Sequence, residues 1–140
     1  MRIILDSNIW ISFLLGFQQE FVRRVLTDTD LAVYVCPQLL DEIKDVASRA
    51  KIKDRLKEGD VDEMLNLIAV FCHNALIANE AITDIRDVKD VYLLSLAETI
   101  NAKYLISGDK DLLDLQSHLT TRILTITEFK RVMYDEPISI

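Results

Sequence analysis

Ile3-Ile4-Leu5-Asp6-Ser7-Asn8 is the stretch that decides how this chain folds. Its apolar run is too short for a helix and does not alternate, as expected of a strand covered on both faces. The run stops on a carboxylate, and helical patterns follow over residues 9–15 and 20–26. A buried strand, a polar turn and a helix in that order open a parallel α/β unit.

The same grammar repeats along the chain. Ala32-Val33-Tyr34-Val35-Cys36 predicts a second strand, stopped by Pro37. Tyr104-Leu105-Ile106 predicts another, stopped by Gly108, and Arg122-Ile123-Leu124-Thr125-Ile126 the last. A weak strand falls within residues 74–78. Between them, residues 38–50 carry Leu39, Leu40, Ile43, Val46, Ala47 and Ala50 at helical spacing. Further helical patterns cover 61–72 and 88–100, with a short turn around Leu112-Leu113 and a C-terminal helix opening at Thr127. Strand and helix alternate, which predicts an α/β domain with a mostly parallel sheet between helical layers. In such sheets the ligand crevice lies beyond the carboxyl ends of the strands.

Composition narrows the function classes. The 140 residues suit one domain, expected over 1–134 with a short tail over 135–140 that Pro137 breaks. Half the residues are hydrophobic and 28% are charged, which is globular and not disordered. The net charge of −7 argues against a protein that coats a duplex, because phosphate binding favours a cationic surface. No apolar run approaches the ~20 residues of a membrane span. Asp6 comes too early for a signal peptide, so the cytoplasm is the expected location. Cys36 and Cys72 lie outside any zinc-like spacing and read as two buried free thiols. His73 and His118 sit on different elements, which leaves little for paired-imidazole catalysis.

The carboxylates fall at telling places. Asp6 ends the first strand and points toward the crevice; its alternative reading is a helix cap, a task open to Ser7 and Asn8 as well. On a wheel at about 100° per residue, Glu42 borders the apolar stripe of its helix, whereas Asp41 and Asp45 turn toward solvent. Its alternative is a solvated ion pair with Arg49. Asp90 shares a face with Leu93, Leu94 and Ala97, where an acid is costly unless it is paired or ligates a cation. Its alternative is a cap, with Asp87 preceding the helix and Asp90 in the first turn. Asp109 and Asp111 follow the Tyr104-Leu105-Ile106 strand, where a plain turn and helix cap would also suit them. Jointly the acids say more. Four carboxylates at one sheet edge would repel each other and raise their own pKa values, and hard divalent cations relieve that repulsion.

Residues 3–15 (IILDSNIWISFLL), the Glu42 helix, residues 86–115 (RDVKDVYLLSLAETINAKYLISGDKDLLDL) and residues 123–129 (ILTITEF) resemble the PIN domain family. The resemblance spans about residues 1–129, and is closest to the free-standing VapC-like toxins of toxin–antitoxin pairs. It implies a three-layer α/β/α sandwich with a mostly parallel sheet of about five strands. It implies a Mg²⁺- or Mn²⁺-dependent endoribonuclease, with one or two ions, whose four acids fall on Asp6, Glu42, Asp90 and Asp109. Ser107 matches a small hydroxyl residue before the fourth acid, Asn8 a polar residue after the first, and Asp111 a neighbouring acid in a supporting role. The segment before Asp90 departs from relatives that carry proline there, and Lys89 adds a cation beside the site.

With four carboxylates carrying −4, two divalent ions would balance the charge, so a second ion is expected to arrive with RNA. Lys51, Lys53 and Arg55, close after the Glu42 helix, would track phosphates, against the alternative of a solvated helix end. Toxin-type relatives also bind a small antitoxin. Ile9-Trp10-Ile11, Phe13-Leu14-Leu15, Phe17, Phe21 and Val22 supply more apolar surface than one helix face needs, enough for an antitoxin or homodimer contact beside the core. Two other classes compete with the enzyme. One is a silent PIN-like module that only binds RNA or protein. The other is a Mg²⁺-binding receiver-type signalling domain, which wants a Lys after its last strand where this chain has Thr125-Ile126-Thr127-Glu128.

Overall fold

A computed structural model describes residues 1–85 and 87–136, Lys89 by its backbone alone. Of the tail expected over 135–140, residues 137–140 lie outside the described residues. Ile3, Ile4 and Leu5 are fully buried in β1 (Arg2–Leu5), as a strand covered on both faces requires. β1 pairs in parallel with β2 (Ala32–Val35) on one side and β4 (Tyr104–Ile106) on the other. β3 (His73–Asn74) extends the β2 side, and β6 (Thr121–Leu124) the β4 side, both in parallel. β5 (Ser117–His118) closes that edge as an antiparallel partner of β6. The order is therefore β3-β2-β1-β4-β6-β5. Consecutive connections leave β1 toward β2 and return to β4 on its opposite side, so the topological switch lies between β1 and β4.

Helices flank this sheet: α1 (Ser7–Leu14), α2 (Gln19–Thr27), α3 (Pro37–Ser48), α4 (Ala50–Lys53), α5 (Asp60–Phe71), α6 (Val88–Ile100), α7 (Lys110–Leu115) and α8 (Ile126–Tyr134). The result is the expected α/β sandwich, with a mixed and mostly parallel sheet. Phe129 of α8 is fully buried and packs edge-on against Phe21 of α2 and Tyr104 of β4. Trp10 of α1, also fully buried, meets Phe13 edge-on.

The structure differs from the sequence reading at several points. The helix predicted over 38–50 ends at Ser48, because the Ser48 hydroxyl donates to the Asp45 carbonyl at 2.6 Å and Arg49 turns extended; α4 restarts at Ala50. The weak strand within 74–78 shrinks to His73–Asn74, after which the chain runs irregularly along α6. There the Ala78 and Ala81 amides donate to the hydroxyls of Thr99 and Ser95. β5 was not predicted, so the sheet has six strands among the described residues; its turn uses Leu119 at φ 52°, a conformation without a sequence signal in leucine. The last strand ends at Leu124, because Thr125 caps α8 in a reciprocal arrangement with Glu128. Cys36 is buried as expected, while Cys72 is only half-buried; both are free.

Candidate metal centre

β1 carries Asp6 to the carboxyl edge of the sheet, where its backbone amide donates to the Ile106 carbonyl of β4 at 2.9 Å. Asp6 thus stands at the switch between the two strands. It occupies the N-cap position of α1, yet its side chain makes no capping bond. The carboxylate faces Ser107 instead, whose hydroxyl donates to Asp6 Oδ2 at 2.6 Å, and Ser7 donates to Oδ1 at 3.2 Å. Ser7 is the first helical residue, not a competing cap. Ser107 is buried and also accepts the Asp109 amide at 2.9 Å, so one hydroxyl fixes both the first acid and the turn bearing the fourth. Burial pushes the Asp6 carboxyl above its usual range, against the lowering effect of the Ser107 hydrogen bond; the Glu42 charge adds to the rise.

Asp90 sits in the first turn of α6 and is 6% exposed. Its amide donates to the Asp87 carbonyl at 3.0 Å, the backbone pattern of the cap reading. The side chain tells a different story. Asp90 Oδ2 is buried and has no hydrogen-bond partner among the described residues. Burial, a hydrogen bond shared with Asp109, and the charges of Asp109, Asp87 and Asp6 push its carboxyl up to about 7. A group placed where its ionised form is disfavoured this strongly marks a functional candidate.

Asp109 caps α7 by accepting the Asp111 amide at 3.1 Å, so the cap reading holds for it while it also faces Asp90. Carboxylate oxygens of Asp90, Asp109 and Asp111 all lie within 4.8 Å of one another. The sequence reading gave Asp111 only a supporting place, and the tightest cluster among the described residues includes it. Asp6 and Glu42 stand outside that triplet but close enough for their charges to be felt, Glu42 by Asp6 and Asp6 by Asp90.

Glu42, half-buried on α3, accepts a short hydrogen bond from the Tyr92 hydroxyl of α6. Arg49, its alternative partner, pairs with Asp45 at 3.1 Å instead. Sequence reasoning missed Tyr92. It lies two residues after Asp90 within an apolar helix and reads as packing; only a partner on another helix distinguishes it. Burial and Glu42 both raise the Tyr92 hydroxyl, which therefore stays a donor.

Of the remaining predicted residues, Asn8 is exposed on α1 and makes no hydrogen bond through its side chain among the described residues. Lys51, Lys53 and Arg55 are exposed on α4 and the turn after it, without an ion pair among the described residues. The Lys89 side chain lies outside the described residues. An all-oxygen donor set with a buried carboxylate oxygen that has no partner among the described residues suits a hard divalent cation, which would give Asp90 Oδ2 a partner.

Comparison with known proteins agrees with this architecture. The chain resembles a chain of the crystal structure of VapBC2 from Rickettsia felis bound to a DNA fragment from their promoter. The TM-score is 0.60 at 12% identity, over 88% of this chain and 97% of that one. No curated protein matches the sequence. The family model for the PIN domain matches residues 2–111, most of the chain and all of the acids described above. On that match, this chain belongs to the PIN domain family.

Proposed function

We propose that the protein is a divalent-metal-dependent endoribonuclease, the toxin of a toxin–antitoxin pair, which hydrolyses RNA phosphodiester bonds at the acids gathered beyond the carboxyl ends of β1 and β4. The observation that carries this reading is Asp90, buried amid other acids with an oxygen that has no partner among the described residues. A structural role would leave it paired. Asp6, Glu42, Asp90 and Asp109 are the proposed ligands of Mg²⁺ or Mn²⁺, with Asp111 at the exposed side of the cluster. When bound, a divalent cation supplies Lewis acidity toward water and phosphate oxygen. The chain's own part is positional. Ser107 holds Asp6 and the Asp109 turn in one geometry, and Tyr92 holds Glu42. Asn8, exposed two residues after Asp6, is free to meet substrate, and Lys51, Lys53 and Arg55 offer cations for the strand.

Two observations support an antitoxin as partner. A structural neighbour is a chain of a VapBC2 complex. In addition, a groove between α1, α2 and α5 is lined by Phe13, Leu14, Arg23, Glu63 and Leu67, with exposed Phe17 following α1. Most of the apolar surplus read from the sequence is core: Ile9, Trp10, Ile11, Phe13, Phe21 and Val22 are buried. The contact, with an antitoxin or a second copy, therefore rests on the groove and Phe17. The proposed substrate makes the cytoplasm the place of action, and no helix among the described residues is long and apolar enough to cross a membrane.

The test is cleavage of a mixed RNA pool with Mg²⁺, Mn²⁺ or EDTA, with Asp90→Asn alongside. The parent is expected to cleave only with divalent metal, and the variant to lose at least about 100-fold while staying folded. Equal activity in both would mark a contaminating nuclease and remove the reading.

A further inference from the structure

A cavity of about 370 Å³ lies beside Tyr92, and none of the acids described above lines it. It opens where the irregular stretch after β3 runs past α6. Ile77, Val88, Val91 and Tyr92 give it apolar walls, and the side-chain amides of Gln38 and Asn79 reach it from α3 and from that stretch. Two features tie it to the acids. Tyr92 lines the cavity while its hydroxyl holds Glu42, and Gln38 stands one helical turn before Glu42 on the same face of α3.

The chemistry of the lining selects the ligand. Among the described residues its lining holds no lysine or arginine, and Glu80 is the one charged side chain there. Ser95 is already committed, donating to the Val91 carbonyl and accepting the Ala81 amide. The amides of Gln38 and Asn79 make no hydrogen bond among the described residues, and each offers donors and an acceptor. Val88 stands 80% exposed at the rim, an apolar group without cover. Apolar and aromatic walls with free, uncharged hydrogen-bonding groups suit a flat, neutral, heteroaromatic ring. In a single RNA strand the unstacked base is that group, and protein sites read it by stacking and by its edges.

We propose that this cavity is a base-binding subsite, which takes one unstacked nucleobase of the RNA strand next to the phosphodiester held at the acids. The proposal rests on the nuclease reading above for its position relative to the cut, and makes Gln38 and Asn79 specificity-determining residues. The acids would then set where the strand is cut, and the cavity which base stands beside the cut.

Two variants outside the acidic machinery test it. Gln38→Ala removes an edge contact, and Ala78→Trp fills the cavity from an exposed position. Sequencing the ends released from a randomised single-stranded RNA pool should show the parent favouring one base at one position beside the cut by about tenfold or more. Both variants should flatten that preference while total cleavage stays within about threefold. In parallel, AMP, CMP, GMP, UMP and ribose 5-phosphate are titrated in Mg²⁺ while the Gln38 and Asn79 side-chain amide signals are followed by NMR. At least one nucleotide should move them, ribose 5-phosphate should not, and Ala78→Trp should abolish the response. An unchanged preference in both variants, or no nucleotide moving those signals, overturns the subsite; with cleavage intact, the nuclease reading survives. A parent that does not cleave while a nucleotide moves the signals removes the nuclease reading and keeps a base-binding cavity.

Discussion

Asp90 shows how one residue can oppose the fold that holds it. Its carboxyl is raised to about 7 from an ordinary 3.8, chiefly by burial and by its neighbour Asp109. The folded protein therefore holds a proton there that the unfolded chain releases at lower pH. The stabilisation from that proton is fully present below the unfolded value and is lost as pH rises through the folded one. In EDTA, Asp90→Asn, a neutral stand-in for the protonated acid, should raise the thermal midpoint at about pH 8 by roughly 3 °C, or about 1 kcal/mol. That advantage should shrink toward about pH 5, and a variant less stable than the parent at both pH values would contradict it. Ser107 carries the complementary prediction. Losing its 2.6 Å bond to Asp6 leaves a buried carboxylate short of a donor. Ser107→Ala should lower kcat/KM on RNA by about tenfold or more, and Ser107→Thr should restore part of it. A fully active Ser107→Ala would remove Ser107 from the positioning role.

Among the elements, α8 shows what local chemistry contributes. Thr125 accepts the Glu128 amide and Glu128 accepts the Thr125 amide, at 3.1 and 3.0 Å. Thr125→Ala should cost about 1 kcal/mol in denaturant unfolding with an unchanged m-value, and no loss at all would mean the cap is idle. Helix α6 spans the residues its sequence pattern predicts, because apolar spacing from Val88 to Ile100 leaves little choice of boundary. Central strands were equally legible, since Ile3-Ile4-Leu5 and Tyr104-Leu105-Ile106 are apolar on both faces and buried on both. Legibility failed where a tertiary partner, not a local pattern, made the structure. β3 exists through β2, and β5 through β6 across a turn without glycine or asparagine. Acids at strand ends were visible by position alone, which is how Asp6 and Asp109 were found. The Tyr92–Glu42 bond joins residues 50 apart on two helices, and no spacing in the sequence announces it.

Over the whole molecule, the sheet order brings distant parts of the chain to one edge. Asp6 and Ser107 are 101 residues apart and hydrogen-bonded, because β1 and β4 are neighbours at the point where the connections reverse direction. Taking Asp6, Glu42, Asp90 and Asp109 out of the count would move the net charge from −7 to −3, so much of the acidic excess is gathered at that edge. Like charges crowded there destabilise the metal-free fold, and a bound cation should relieve them. The most direct measurement is anomalous X-ray scattering from crystals soaked in Mn²⁺ without RNA. A manganese peak within coordinating distance of Asp90 and Asp109, with Asp90 Oδ2 as a ligand, is the predicted result. A pocket with no ion at saturating Mn²⁺, or Mn²⁺ bound only elsewhere on the surface, would contradict it.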